Sequence, residues 1–245
     1  MPQDVPSPRP ASNPNPRTGV RLTFRTYPET LPRVDLPAGE VHVWTAPLDP
    51  PPLPPAVLTA PLSVAEQARR DRFAVPAARS QFAYARGLLR HLLAAYVGRS
   101  PAELRFDVSP DGKPALADCG IEFNVSHTAG LAVFAVSSVP VGVDVERVRD
   151  LATAAGLVDR YFRPAERVRF SGLPDDLRTA AFFRGWTCKE AILKGVGCGT
   201  RGLEQCEVEI DPRSAERVYA APDGRPWAVT CWEPAAGYVG AVAVC

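Results

Sequence analysis

Two stretches of this chain echo each other, and the echo restricts what it can fold into. Asp71-Arg72-Phe73-Ala74-Val75-Pro76-Ala77-Ala78-Arg79 matches Asp159-Arg160-Tyr161-Phe162-Arg163-Pro164-Ala165-Glu166-Arg167 in outline, 88 residues further on. Each copy follows a strand-like V-x-V segment. Each precedes a long helical stretch that ends in glycine, at Gly98 and at Gly195/Gly197. A unit repeated in this way predicts two similar α/β halves, near 39–140 and 141–245. At 245 residues the chain has room for them as one large domain or two modest ones.

Hydrophobic periodicity fills in the halves. Val41-His42-Val43-Trp44 alternates like a strand, and Pro50–Pro55 reads as a stiff extended link. Ser63 with Glu66 three residues on is a capping box, predicting a helix over Val64–Arg72. Phe82, Leu88, Leu89, Leu92, Leu93 and Tyr96 follow the helical period and predict a helix over Ser80–Val97. Strands are expected at Leu104–Val108, Ile121–Ser126, Leu131–Ser137 and Val141–Glu146, with turns at Pro110-Asp111-Gly112 and Ala129-Gly130. Helical stretches follow at Leu151–Phe162, Ala165–Phe170 and Leu177–Lys194, then strands at Glu204–Ile210, Ala228–Trp232 and Tyr238–Val244. Residues 1–38 hold nine prolines and little apolar periodicity. They read as a disordered Pro-rich tail, with any order starting near Val20–Phe24, and as dispensable for fold and activity.

The net charge of +1 gives no global attraction to nucleic acid or to a membrane surface. Residues 62–105 are uneven, with eight arginines against Glu66, Asp71 and Glu103, a local excess of +5. That excess fits a phosphate-binding face and equally a solvated helix surface. Six cysteines form no C-x-x-C pair and no zinc spacing, and no apolar run is as long as a membrane span. A cytoplasmic monomer with reduced thiols is the expectation.

Of 28 basic residues only Lys113, Lys189 and Lys194 are lysine. A compact ammonium kept against such a bias points to sites where a wide guanidinium does not serve. Asp144 and Glu146, two apart in V-G-V-D-V-E, project from one face of a strand. Paired carboxylates there repel unless a cation such as Mg²⁺ joins them, or unless the strand is a solvated edge. Glu190 and Lys194 are i, i+4 neighbours on a helix that also carries Trp186, Ile192 and Leu193, so their face is half buried. The glycines at 195, 197 and 199 permit a tight loop but not a Walker A loop. Asn124-Val125-Ser126-His127 puts a hydroxyl and an imidazole at a strand end, and Asp111-Gly112-Lys113-Pro114 puts a lysine at a turn.

The order of these motifs along the chain resembles the 4′-phosphopantetheinyl transferases of the Sfp-like class. The matching features are G-K-P, N-x-S-H, G-V-D-V-E, and W-T-x-K-E-A-x-x-K with its glycine loop, across roughly residues 41–245. The resemblance implies an α+β fold of two pseudo-symmetric α/β halves with the active site between them. It implies transfer of 4′-phosphopantetheine from coenzyme A to a serine of an apo acyl or peptidyl carrier protein, with Mg²⁺ and release of 3′,5′-ADP. Asp144, Glu146 and Glu190 would ligate Mg²⁺. Lys194 would neutralise the phosphates, with Lys189 in the same motif. Ser126, His127 and Lys113 would contact coenzyme A, and Arg69 and Arg79 would lie near its 3′-phosphate. Glu190 is the candidate base. Two other readings fit the same residues: a different Mg²⁺-dependent phosphate-ester enzyme, and a non-catalytic carrier-binding homologue. The first needs a separate water-activating group and the second predicts loss of the acidic residues or Lys194; the sequence shows neither.

Overall fold

A computed structural model of the chain describes residues 19–109, 112–117, 119–214 and 217–245. In chain order the first half contains β1 (Arg21–Thr26), β2 (Glu40–Pro47), α1 (Pro55–Thr59), α2 (Val64–Asp71), α3 (Pro76–Val97), β3 (Phe106–Val108), β4 (Pro114–Leu116), β5 (Glu122–Thr128) and β6 (Leu131–Ser137). The second contains β7 (Val141–Arg147), α4 (Ala154–Tyr161), α5 (Pro164–Gly172), α6 (Asp175–Val196), β8 (Arg217–Ala220), β9 (Pro226–Trp232) and β10 (Tyr238–Val244). The fold is α+β. One sheet runs β1-β2-β6-β5 and the other β7-β10-β9-β8. In both, the first long strand of the half pairs antiparallel with its last strand, which also pairs with the hairpin partner before it.

Side-chain alternation explains the layering. On β2 and β6, Val41, Val43, Val133 and Ala135 face one way, while Trp44, Ala46, Phe134 and Val136 face the other. The first set meets Val141, Val143, Val145, Val242 and Val244 from the opposing sheet. The second set is covered by Leu88, Leu89, Leu92 and Leu93 of α3. In the second half α6 covers Ala241 and Ala243 in the same way. Glycine makes two close approaches possible. A methyl group on Gly87 of α3 would stand 2.2 Å from the Leu58 carbonyl oxygen of α1, and one on Gly142 of β7 would stand 1.9 Å from the Ala191 carbonyl oxygen of α6.

Several elements differ from expectation. The tail does not extend to residue 38: β1 pairs in parallel with β2, Phe24 packs on Trp232 at 5.1 Å, and Tyr27 and Val34 are buried. Its few apolar residues, though aperiodic, meet cores already built. Residues 1–18 lie outside the described residues, as do Pro110 and Asp111 of the expected turn. Proline at the first helical position starts α1 at the last residue of the expected extended link, and starts α3 four residues early. Glu204–Ile210 is no strand. The 88-residue echo pairs the openings of α3 and α5, but the folds repeat differently. The two 22-residue helices are α3 and α6, capped by left-handed Gly98 and Gly197, 99 residues apart.

Candidate active site

The two sheets meet where β5 runs beside β7, and side chains make the seam. Asn124 Oδ1 accepts from the Val143 amide at 3.1 Å, and its Nδ2 donates to the Lys194 carbonyl at 3.4 Å. Two residues on, Ser126 Oγ donates to Asp144 Oδ1 at 2.7 Å; two further, Thr128 Oγ1 reaches Glu146 Oε2 at 3.5 Å. The period-2 geometry of a strand thus aligns Asn124, Ser126 and Thr128 against the acidic face of β7.

That face carries Asp144 and Glu146 because Val141, Val143 and Val145 occupy the inter-sheet core. Lys194 of α6 donates to Asp144 Oδ1 at 2.6 Å and to Ser126 Oγ at 3.0 Å. Asp144 is buried, and its Oδ2 has no hydrogen-bond partner among the described residues. Burial raises the carboxyl pKa of Glu146 and of Glu190, and the Asp144 charge raises both further; Lys194 opposes in each case, and Arg149 opposes at Glu146. Lys194 pairs with Asp144 and Arg149 with Glu146 at 3.9 Å, so three carboxylates face two cations. Among the described residues no group of three acidic, His or Cys side chains is gathered tightly enough to enclose a metal. The donor set nonetheless fits a hard cation: all ligands are carboxylate oxygens, one is buried without a partner, and two are held above their ordinary range.

Lys194 also lines a cleft of about 590 Å³ between α2, α3, the β3–β4 connection, β5 and the end of α6. Phe73, Phe82, Leu89 and Leu193 give it apolar walls, and Arg69, Arg86, Lys113 and His127 make it cationic. Arg69 lies over the Phe82 ring at 5.3 Å. Arg86 pairs with Glu66, whose carboxyl burial alone would push up; Arg86, the Ser63 amide and Arg90 together hold it down. Lys113 Nζ donates to the Gly195 carbonyl at 2.7 Å, closing the last turn of α6. Burial lowers the Lys113 pKa against the pull of Glu122. His127 is accessible at the cleft, and desolvation by its walls, then Lys194 and Arg69, hold its imidazole low.

Asp144, Glu146, Glu190, Lys194, Ser126, His127, Lys113 and Arg69 therefore gather at one place or along the cleft leading from it. Arg79 does not: it is exposed, donates to the Phe73 carbonyl at 3.0 Å, and lines a separate depression beside Arg70 and Tyr84. Lys189 does not either. It faces the interior of the second half with no exposed surface, because one step along a helix turns residue 189 about 100° away from Glu190. Thr128 and the Glu66–Arg86 pair were not singled out from the sequence; the period-2 continuation of N-x-S-H-T was the signal for Thr128.

Residues 140–243 match the family model described as the 4′-phosphopantetheinyl transferase superfamily. The chain is similar to the 4′-phosphopantetheinyl transferase HetI of Nostoc sp. (strain PCC 7120), with 38% identity over 218 residues, covering 87% of this chain and 91% of that protein. It is similar to the 4′-phosphopantetheinyl transferase Sfp of Bacillus subtilis (strain 168), at 26% identity, 63% of this chain and 69% of that one. It is also similar to the L-aminoadipate-semialdehyde dehydrogenase-phosphopantetheinyl transferase of Schizosaccharomyces pombe, at 31% identity, 46% of this chain and 50% of that one.

Proposed function

The chain belongs to the 4′-phosphopantetheinyl transferase superfamily, and from that premise we propose how its cleft carries out the transfer. It is a transferase that attaches 4′-phosphopantetheine to carrier proteins. Coenzyme A is the donor, and a serine hydroxyl of an apo acyl or peptidyl carrier protein is the acceptor. What supports this reading most is the continuity of the cationic cleft with the carboxylate cluster through one side chain, Lys194. A nucleotide carrying a pyrophosphate and a further phosphate matches a slot with Arg69, Arg86, Lys113 and Lys194 along it. The apolar walls suit its base and pantetheine arm.

In the reaction the serine oxygen bonds to the pantetheine-side phosphorus and a P–O bond of the pyrophosphate breaks. The electron pair leaves with 3′,5′-ADP. Charge therefore builds on phosphate oxygens, and Lys194 stands where it can offset it without reorganising. Glu190 takes the serine proton, directly or through a bound water. Asp144, Glu146 and Glu190 would hold Mg²⁺, which when bound supplies further positive charge against the pyrophosphate. Ser126 orients Asp144 and Lys194 together. No helix among the described residues is long and apolar enough to cross a membrane; a cytoplasmic site for the reaction is part of this proposal.

The test is incubation with a fluorescent coenzyme A analogue, Mg²⁺ and an apo carrier protein. Label on the carrier, lost by orders of magnitude in Asp144→Ala while that variant stays folded, is the expected result. Release of 3′,5′-ADP without label on the carrier would indicate a hydrolase, and carrier binding without chemistry a non-catalytic homologue.

A further inference from the structure

Lys189 belongs to the same short motif as Glu190 and Lys194, yet it has a different job. Its ammonium donates to the Leu203 carbonyl at 2.9 Å, to the Cys206 carbonyl, and to Glu166 Oε2 at 2.8 Å. An ammonium has three N–H donors, so none is left for a phosphate. Glu166 is equally committed. It accepts from the Arg163 amide at 2.6 Å, capping α5, and from the Val208 amide at 2.7 Å.

The first half contains the same construction. Glu66 caps α2 by accepting from the Ser63 amide at 2.8 Å and receives Arg90 of α3 at 2.8 Å. Arg90 then donates to the Pro101 carbonyl at 2.9 Å and the Leu104 carbonyl at 3.1 Å. In each half a glutamate in the first turn of a short helix meets a buried cation of the long helix. That cation holds two carbonyls, three residues apart, in the segment after the long helix. The glutamates are 100 residues apart and the cations 99, the spacing of Gly98 and Gly197. We propose that Lys189 is a positioning residue: with Glu166 it fastens the 203–208 segment against α6 and so fixes the Gly197–Gly199 wall of the coenzyme A cleft, as Arg90 and Glu66 fix the segment after α3. A lysine suits the second copy because the space is closed on every side, with the Phe162 ring 5.0 Å away.

The kinetic half of this proposal rests on the transferase reading; the stability half does not. Lys189→Met, Glu166→Gln and the double variant are compared with the parent. Each single variant leaves a buried partner uncompensated and should lower the thermal midpoint by roughly 5 °C or more. The double variant should fall no lower than the worse single. Where all are folded, the KM for coenzyme A should rise about threefold or more, alike in both single variants, with kcat and the carrier KM changed far less. If Lys189→Met is not recovered folded, Lys189→Arg takes its place in both arms. A raised coenzyme A KM in the lysine variant but not in Glu166→Gln would make Lys189 a ligand and overturn the proposal. Additive midpoints, or lowered midpoints with every KM unmoved, would overturn it as well. A parent that transfers nothing would contradict the transferase reading alone, and the midpoints would still decide whether the strut exists.

Discussion

Each of the three lysines sets its ammonium against oxygen atoms in a confined space. Lys113 meets the Gly195 carbonyl, Lys189 meets two carbonyls and Glu166, and Lys194 meets Asp144 and Ser126. A guanidinium is wider and pairs carboxylates as a fork. Lys194→Arg should therefore draw Asp144 or Glu190 into a bidentate pair and lose about tenfold or more in kcat. Coenzyme A affinity should fall less, since charge is retained; a variant as fast as the parent would show that compactness is irrelevant at this position. The carboxylates yield a second expectation. A folded pKa raised above the unfolded value means that Glu190 stabilises the fold while protonated, and that this contribution is lost as pH rises through the folded pKa. Without divalent cation, Glu190→Gln should raise the thermal midpoint at neutral pH. Its advantage should vanish below about pH 4, where both forms of residue 190 are neutral. An advantage independent of pH would place its cause elsewhere. The lysines and both acidic motifs were legible because they are rare or closely spaced. The direction of Lys189 was not, because one step along a helix is a turn of about 100°, and only the packing of α6 decides which side faces the cleft.

The strand β7 shows how an element carries two functions on two faces. Its valines fill the core between the sheets, while Gly142, Asp144 and Glu146 face α6. Because Gly142 lies against the Ala191 carbonyl and the Gly195 amide, β7 and α6 approach closely enough for Asp144 to reach Lys194. Gly142→Ala should cost about 1–3 kcal/mol by overpacking and should lower kcat even where the protein is fully folded, because the carboxylates separate. Urea midpoints and single-turnover rates check both, and a variant with normal rate would show that the approach serves stability alone. The segment Glu204–Ile210 marks the opposite limit of sequence legibility. Cys206, Val208 and Ile210 are all buried as the alternation implies, although Glu209 between them is buried too. Its backbone, however, bonds to side chains in place of a neighbouring strand: Lys189 takes the Cys206 carbonyl, Glu166 the Val208 amide, and Tyr219 the Glu209 amide. Alternation reports burial of one face, and it does not say where the hydrogen bonds go.

The two halves are joined by more than the seam between β5 and β7. The segment before β2 crosses from one to the other: Phe24 of β1 packs on Trp232 of β9, while Tyr27 and Val34 close the core under α3 and the Tyr27 hydroxyl donates to the Leu88 carbonyl at 3.2 Å. Composition hid this, because a proline-rich stretch with few apolar residues has nothing to bury against itself. Those few residues cover surfaces made by strands and helices far along the chain. The two-half plan was legible from the paired strand–helix–glycine order, whereas the contribution of this crossing segment was not. A chain starting at Gly39 would lose β1, expose Trp232 and open the floor beneath α3. Removing the burial of Phe24, Tyr27 and Val34 alone costs on the order of 5 kcal/mol. The whole stability of a domain is about 5–15 kcal/mol. Such a chain should therefore unfold at a much lower temperature than the full protein, or fail to fold cooperatively, and transfer should disappear with the fold, since the cleft takes Arg69, Arg86 and His127 from one half and Lys194 from the other. Circular dichroism melting of the two chains, with carrier labelling at a temperature where the full protein is native, measures this. A shortened chain that melts within a few degrees of the parent and labels its carrier at the parental rate would show that β1 rests on the two halves without holding them.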